Sequence, residues 1–219
     1  MSVWEREKKA VLEAGLTMWR KGLVVGTSGN VSMRLPAEGQ DLMAVTPNKR
    51  YYDLLGMEDI IVTTFSGDTI EGELVPSSEV LLHAAIYEAR PEVNAVVHTH
   101  SPFASAAAVA GVSIPPLLDD QVTFLGGEIT VAPYALPGTE ELGQNAARAL
   151  GNRQAVMLAN HGAVGVGRGI REALTACELL EKTAQVFFWA RLLGAPRELP
   201  PDALRAGKAF FQMSAPAPE

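Results

Sequence analysis

Across residues 93–118 the chain carries no Asp, Glu, Lys or Arg. So long a charge-free stretch would suit a membrane span, yet His98, His100, Pro102, Pro115 and Pro116 fall inside it, and a lipid-surrounded helix tolerates them poorly. The stretch reads instead as a strand over 95–100 followed by a short helix over 103–110. A soluble fold of short alternating elements is expected, with no transmembrane segment.

The same alternation runs along the rest of the chain. Residues 3–21 place Val11, Ala14 and Met18 on one stripe with Leu12, Leu16 and Trp19 beside it, and Gly22 offers a stop, so a helix is expected there. After the turn signal Gly26-Thr27-Ser28-Gly29-Asn30, Val31, Met33 and Leu35 alternate with Ser32 and Arg34 as in a half-buried strand. Strands over 42–46, 60–64 and 69–71 form a meander, the last two joined at Ser66-Gly67-Asp68. Pro76-Ser77-Ser78-Glu79 opens a helix that ends at Arg90, because Pro91 biases the residue before it away from helical geometry. A strand over 129–133, a helix capped by Thr139 and reaching Leu150, strands over 155–159 and 163–166, and a long helix over 170–193 complete the order. The result is a sheet flanked by helices, and its hairpin-length connections argue against an all-parallel sheet.

Composition decides what such a fold can serve. With 219 residues, 47% of them hydrophobic, one domain over 1–219 can bury a core without disulfides, ending in an irregular Pro-rich tail from about 194. The net charge of −7 is dispersed, leaving no basic field for nucleic acid or an anionic membrane, so a phosphate ligand would need a local site. The lone cysteine, Cys177, allows a reducing compartment, and Trp4 to Lys9 mixes charges in the wrong order for a secretory signal; a cytoplasmic location is expected.

Only four histidines occur, His83, His98, His100 and His161. Two residues apart on a strand, His98 and His100 point to one face about 7 Å apart. His161, beside Gly162 between two strands, sits where a turn can supply a third nitrogen, and three nitrogens with open positions describe a catalytic metal site. Taken alone, each histidine equally suits a hydrogen-bonded core role. His83 lies four residues after Glu79 on one helical face and reads as structural or orienting.

Glu79 falls in the first turn of its helix, where the macrodipole favours the charged form and Ser77 or Ser78 can cap free amides. It can serve as a base, or merely stabilise the helix. The two glycines of the 26–30 loop let main-chain amides approach an anion, and Ser77-Ser78 at a helix start complements them; an ordinary tight turn is the plainer reading.

In order, Gly26-Thr27-Ser28-Gly29-Asn30-Val31-Ser32, Thr46-Pro47, Pro76-Ser77-Ser78-Glu79, His83, Val97-His98-Thr99-His100-Ser101, Ala132-Pro133-Tyr134, Gly138-Thr139 and Asn160-His161-Gly162 resemble the class II aldolase/adducin family over roughly residues 5–193. The resemblance implies an α/β fold, a three-layer α/β/α single domain with a central mixed, largely antiparallel sheet. It implies a divalent metal, Zn2+ before Mn2+ or Co2+, on His98, His100 and His161, with Glu79 as the catalytic acid/base. It also implies a substrate phosphate held by Ser28, Gly29, Asn30, Ser77 and Ser78 with Thr46 nearby, and a homo-oligomer, tetramer favoured. The implied reaction cleaves or forms a sugar phosphate, from dihydroxyacetone phosphate and a small aldehyde, through an enediolate. Glu79 would take the carbon-bound proton, a task suited to a carboxyl whose pKa an apolar pocket raises.

Two departures bear on the substrate. The chain reads Thr46-Pro47-Asn48-Lys49-Arg50 where many such aldolases read Thr-Pro-Ser-Gly, and Lys49 and Arg50 suit a solvated loop. Where the family's fuculose-phosphate aldolases carry a proton-donating tyrosine, it reads Pro116-Leu117-Leu118-Asp119-Asp120-Gln121, so Asp119 or Gln121 would shape a different pocket. The rival readings are a sugar-phosphate epimerase, decarboxylase or dehydratase on the same metal platform, and an adducin-like, non-enzymatic assembly module.

Overall fold

The structure, a computed structural model, describes residues 3–37 and 39–214. Eight strands form one sheet: β1 (Asn30–Leu35), β2 (Leu42–Val45), β3 (Ile61–Thr64), β4 (Thr69–Glu71), β5 (Ala95–Thr99), β6 (Val131–Ala132), β7 (Ala155–Leu158) and β8 (Gly162–Gly167). Their spatial order is β4-β3-β2-β1-β5-β8-β7-β6, and every pairing is antiparallel except β6 with β7. The helices are α1 (Glu5–Arg20), α2 (Val80–Ala89), α3 (Pro102–Val109), α4 (Glu140–Leu150), α5 (Ile170–Leu193) and α6 (Pro201–Ser214). None of these is long and apolar enough to cross a membrane.

The two faces of the sheet are covered by different helices. Val96, Val156, Leu158, Val164 and Val166 turn to α2 and α4, where Leu82, Ile86, Leu142, Ala146 and Leu150 close the core. From the alternate positions, Val31, Leu42, Ala44, Val62, Ala95 and Val97 meet Val11, Ala14 and Met18 of α1 and Ala173 and Cys177 of α5. Further along that face Met157 and Ala163 pack on Ala104 of α3 and Leu180 of α5. This is the expected three-layer α/β/α architecture with a largely antiparallel sheet, and its period-2 alternation sorts the side chains.

Two local readings need correction. Ser32 and Arg34 do not stand on an open solvent face: both lie under α2, Ser32 fully buried and Arg34 half-buried, so β1 is covered on both sides. The tail is also not irregular throughout, because α6 forms after Pro200. Proline is tolerated at the first helical position, where its missing N–H costs nothing, and Asp202 follows in the first turn. The helix docks on a short π-helical segment, Gln121–Leu125, with Gly207 against Val122 and Phe211 against Gly126.

Candidate metal centre

One end of the central strands gathers the polar residues. β1 begins there with Asn30, β5 ends there with His98 and Thr99, and Asn30 pairs with His98 across the two strands. The β7–β8 turn brings in His161 because Asn160 takes a left-handed conformation (φ 54°), which its short side chain accepts, and the His161 amide bonds the Leu158 carbonyl at 3.0 Å. Glu79 is not in the first turn of α2 but immediately precedes it, and its amide donates to Ser77 Oγ at 3.3 Å.

Ligating atoms of Glu79, His98, His100 and His161 all lie within 4.8 Å of one another. His98 Nε2 is 2.9 Å from His100 Nε2 and 3.2 Å from Glu79 Oε2, while His161 Nε2 is 3.3 Å from Glu79 Oε1. The Nδ1 of His98 lies 3.0 Å from the Ala163 carbonyl oxygen, which can only accept, so Nδ1 carries a hydrogen and the ring is held with Nε2 facing the cluster. Burial, then the neighbouring imidazoles, pushes His100 down to about 4, and burial, then His98, lowers His161 as well. Glu79 Oε1 is buried with no hydrogen-bond partner among the described residues. Converging imidazole nitrogens and a buried carboxylate suit a divalent cation, which would satisfy all of them at once.

The carboxyl of Glu79 departs from expectation. Burial raises it, but His98, then His161 and the Asn30 hydrogen bond outweigh burial and hold it below the usual carboxylate range. An apolar pocket was the wrong picture, because imidazoles and an amide line the carboxylate.

The residues expected to hold phosphate flank the cluster on three connections. The 26–30 turn is tied to Tyr52, whose hydroxyl donates to the Gly29 carbonyl at 2.7 Å; Thr46 Oγ1 accepts from the Val31 amide at 3.2 Å; and the Ser77 amide donates to the Thr46 carbonyl at 3.2 Å. Gly29 is required there, since its φ is 71° and an added Cβ would stand 2.6 Å from the His98 carbonyl oxygen. Ser78 is exposed beside these loops. The side chains of Ser28 and Asn30 are engaged inside the protein: Ser28 Oγ closes its own turn on Val25, and Asn30 bridges Glu79 and His83.

In the 115–127 loop Asp119 is exposed, and the expectation fails for Gln121. Gln121 is fully buried, accepting from the Leu117 amide and donating to the Pro115 and Gly127 carbonyls, so it braces the loop and lines no pocket. Arg50 pairs with Asp59 at 3.5 Å and Lys49 is exposed, as a solvated loop requires.

Sequence reasoning missed the polar set beneath α2. Asn30 Nδ2 donates to Glu79 Oε2 at 2.9 Å, its Oδ1 meets His83 Nε2, and Ser32 Oγ contacts His83 Nδ1 at 2.6 Å and the Tyr87 hydroxyl at 2.7 Å. Two signals were present: Glu79, His83 and Tyr87 recur every four residues, and Asn30 and Ser32 alternate on β1.

Residues 9–188 match the family described as Class II Aldolase and Adducin N-terminal domain, and the chain belongs to that family. It is 35% identical over 200 residues to a 5-deoxy-D-ribulose 1-phosphate aldolase of Bacillus thuringiensis serovar kurstaki, covering 91% of this chain and 92% of that one. It is 38% identical over 185 residues to the L-fuculose phosphate aldolase of Escherichia coli strain K12, covering 84% of each. A 3-oxo-tetronate 4-phosphate decarboxylase of Pectobacterium atrosepticum is 32% identical, covering 86% of each chain. Among solved structures, an L-fuculose 1-phosphate aldolase superposes with a TM-score of 0.88 at 32% identity, over 97% of this chain and 98% of that one.

Proposed function

We propose that the protein is a metal-dependent sugar-phosphate aldolase that splits or joins a carbon–carbon bond between dihydroxyacetone phosphate and a small aldehyde. The observation that carries this reading is the convergence of three imidazoles on Glu79. His98, His100 and His161 would hold the cation, Zn2+ before Mn2+ or Co2+. When bound, it supplies positive charge against which negative charge on the substrate oxygens can develop.

Glu79 then moves the proton. With Oε2 engaged by Asn30, Oε1 is the oxygen left without a hydrogen-bond partner and so the one to meet substrate, and its carboxyl is ionised at neutral pH. It takes a hydrogen from the carbon beside the ketone, the C–H electron pair passing into the substrate, and returns it in the reverse direction. Thr46, Ser77, Ser78 and the Ser28-Gly29-Asn30 turn would seat the phosphate, Ser28 and Asn30 through their main chain. Seating the phosphate there directs the ketone carbons towards Glu79.

A second reading, decarboxylation of an oxo-acid sugar phosphate on the same platform, is supported by the decarboxylase relative. Both are tested by metal analysis together with a substrate panel of fuculose 1-phosphate, 5-deoxyribulose 1-phosphate, ribulose 5-phosphate and a 3-oxo-tetronate 4-phosphate. Release of dihydroxyacetone phosphate supports the aldolase, release of carbon dioxide supports the decarboxylase, and a purified protein that binds no metal removes both. A cytoplasmic homotetramer is part of the same proposal, with gel filtration and light scattering as its check.

A further inference from the structure

We infer that Tyr87, Ser32, His83 and Asn30 form a buried positioning relay that fixes Glu79 Oε2 and so leaves Oε1 as the oxygen that handles the substrate proton. The inference rests on the reading of Glu79 as the group that moves the proton.

Each link dictates the polarity of the next. A carboxylate can only accept, so the Asn30 amide must present Nδ2 to Glu79 Oε2, 2.9 Å away. The amide oxygen is thereby turned to His83 Nε2, and because Oδ1 can only accept, Nε2 must carry the hydrogen. A neutral imidazole with hydrogen on Nε2 accepts at Nδ1, where the Ser32 hydroxyl lies 2.6 Å away and must donate. Ser32 Oγ is then left to accept from the Tyr87 hydroxyl at 2.7 Å. From Tyr87 to Glu79 all the hydrogens point one way, towards the carboxylate.

The surroundings give this order its force. Ser32 and His83 are fully buried, and Tyr87 and Asn30 nearly so, within the apolar packing between the sheet and α2. Burial pushes His83 down to about 3, which keeps the ring neutral and holds it to one of two tautomers. In so dry a place an unpaired donor is costly, so a break anywhere in the chain is transmitted along it. Without the Ser32 hydroxyl, His83 is free to place its hydrogen on Nδ1. The Asn30 amide then turns over and sets an oxygen against Glu79. None of the four residues is among the metal-ligand cluster, so the relay acts on the rate of proton transfer and not on cation binding.

Two measurements test this. In 1H–15N spectra of the metal-free protein, the His83 ring, identified by the resonances lost in His83→Gln, is expected to carry its hydrogen on Nε2; a hydrogen on Nδ1 overturns the relay. In the metal-loaded protein, Ser32→Ala is expected to lower kcat by about ten- to a hundredfold with KM and metal content unchanged, as loss of an orienting partner does. Tyr87→Phe, which keeps the ring and removes one hydroxyl, should give a smaller loss of the same kind, and it carries the test if Ser32→Ala folds poorly. In a Glu79→Gln background, Ser32→Ala should add no further loss; an additive loss means it acts elsewhere and overturns the proposal. An inactive wild type would defeat the aldolase reading while the spectrum still decides the relay. Full kcat in Ser32→Ala beside an active wild type would defeat the relay alone.

Discussion

Gly162 lies so close to Thr99 that an added Cβ would overlap the Thr99 carbonyl oxygen, and it would also stand 3.0 Å from His100 Cδ2 and 3.3 Å from His98 Cε1. The φ of Gly162 is not positive, so close approach and not backbone freedom requires a glycine. Gly162→Ala is therefore expected to part β8 from β5 and displace two of the three imidazoles together. Metal affinity should fall at least tenfold while the far end of the sheet stays folded. Isothermal titration with Zn2+, beside a circular dichroism spectrum, checks this; wild-type affinity would show that the rings do not depend on that contact.

Glu79 and His98 should separate when each is removed. Glu79→Gln keeps three imidazoles and an isosteric side chain, so metal content should persist while solvent exchange of the substrate C–H hydrogen falls by about a hundred- to ten-thousandfold, the usual worth of a positioned base. His98→Ala should lose both. Deuterium exchange into the ketone phosphate, followed by NMR, reads the proton step without requiring the aldehyde partner. Exchange at the wild-type rate in Glu79→Gln would remove Glu79 from the chemistry.

Turn signals and helical spacing made the bounds of β4 and α5 legible, and His98 and His100 share a site as their spacing requires, whereas burial was not legible because β5, β7 and β8 are buried at every position. What the sequence could not carry were relations across the sheet. Asn30 reads as a loop residue suited to an anion until β1 is paired with β5, and only then does its amide meet Glu79, 49 residues away in the chain. The charge state of Glu79 was hidden for the same reason, since histidines from two other elements outweigh the effect of burial. At the tail, proline content suggested irregular structure, whereas the docking partner of α6 is the 121–125 segment, which local pattern cannot reveal.

His83 gives the metal-free protein a pH signature. Folded, it resists protonation until about pH 3, whereas in the unfolded chain it takes up a proton near its ordinary 6.5. Between those values the unfolded state binds more protons, so stability falls as the pH falls, by about 1.4 kcal/mol per pH unit for one such group. His100 and His161, lowered as well, add to the same slope. His83→Gln loses its hydrogen bonds and should be less stable at pH 7, yet its stability should decline less steeply from pH 6.5 towards 4.5. Urea unfolding across that range measures the slope, and parallel curves for wild type and variant would contradict a neutral, buried His83.

Gly207 offers a case in which two known effects oppose each other. In the interior of α6, replacing glycine by alanine should stabilise the helix by about 0.5–1 kcal/mol through lost backbone freedom in the unfolded chain. The new Cβ, however, would stand 2.8 Å from Cγ1 of Val122, a fully buried side chain in the segment that Gln121 braces from within. Overpacking of that kind costs about 1–3 kcal/mol, so the clash outweighs the gain and α6 should lift from its seat. Faster hydrogen exchange of α6 amides and earlier proteolysis within 194–200 are the expected readouts. Val122→Ala removes the opposing methyl groups, so in the double variant the helix should dock again and keep the propensity gain. If Gly207→Ala protects α6 without that second change, the contact with Val122 does not limit docking.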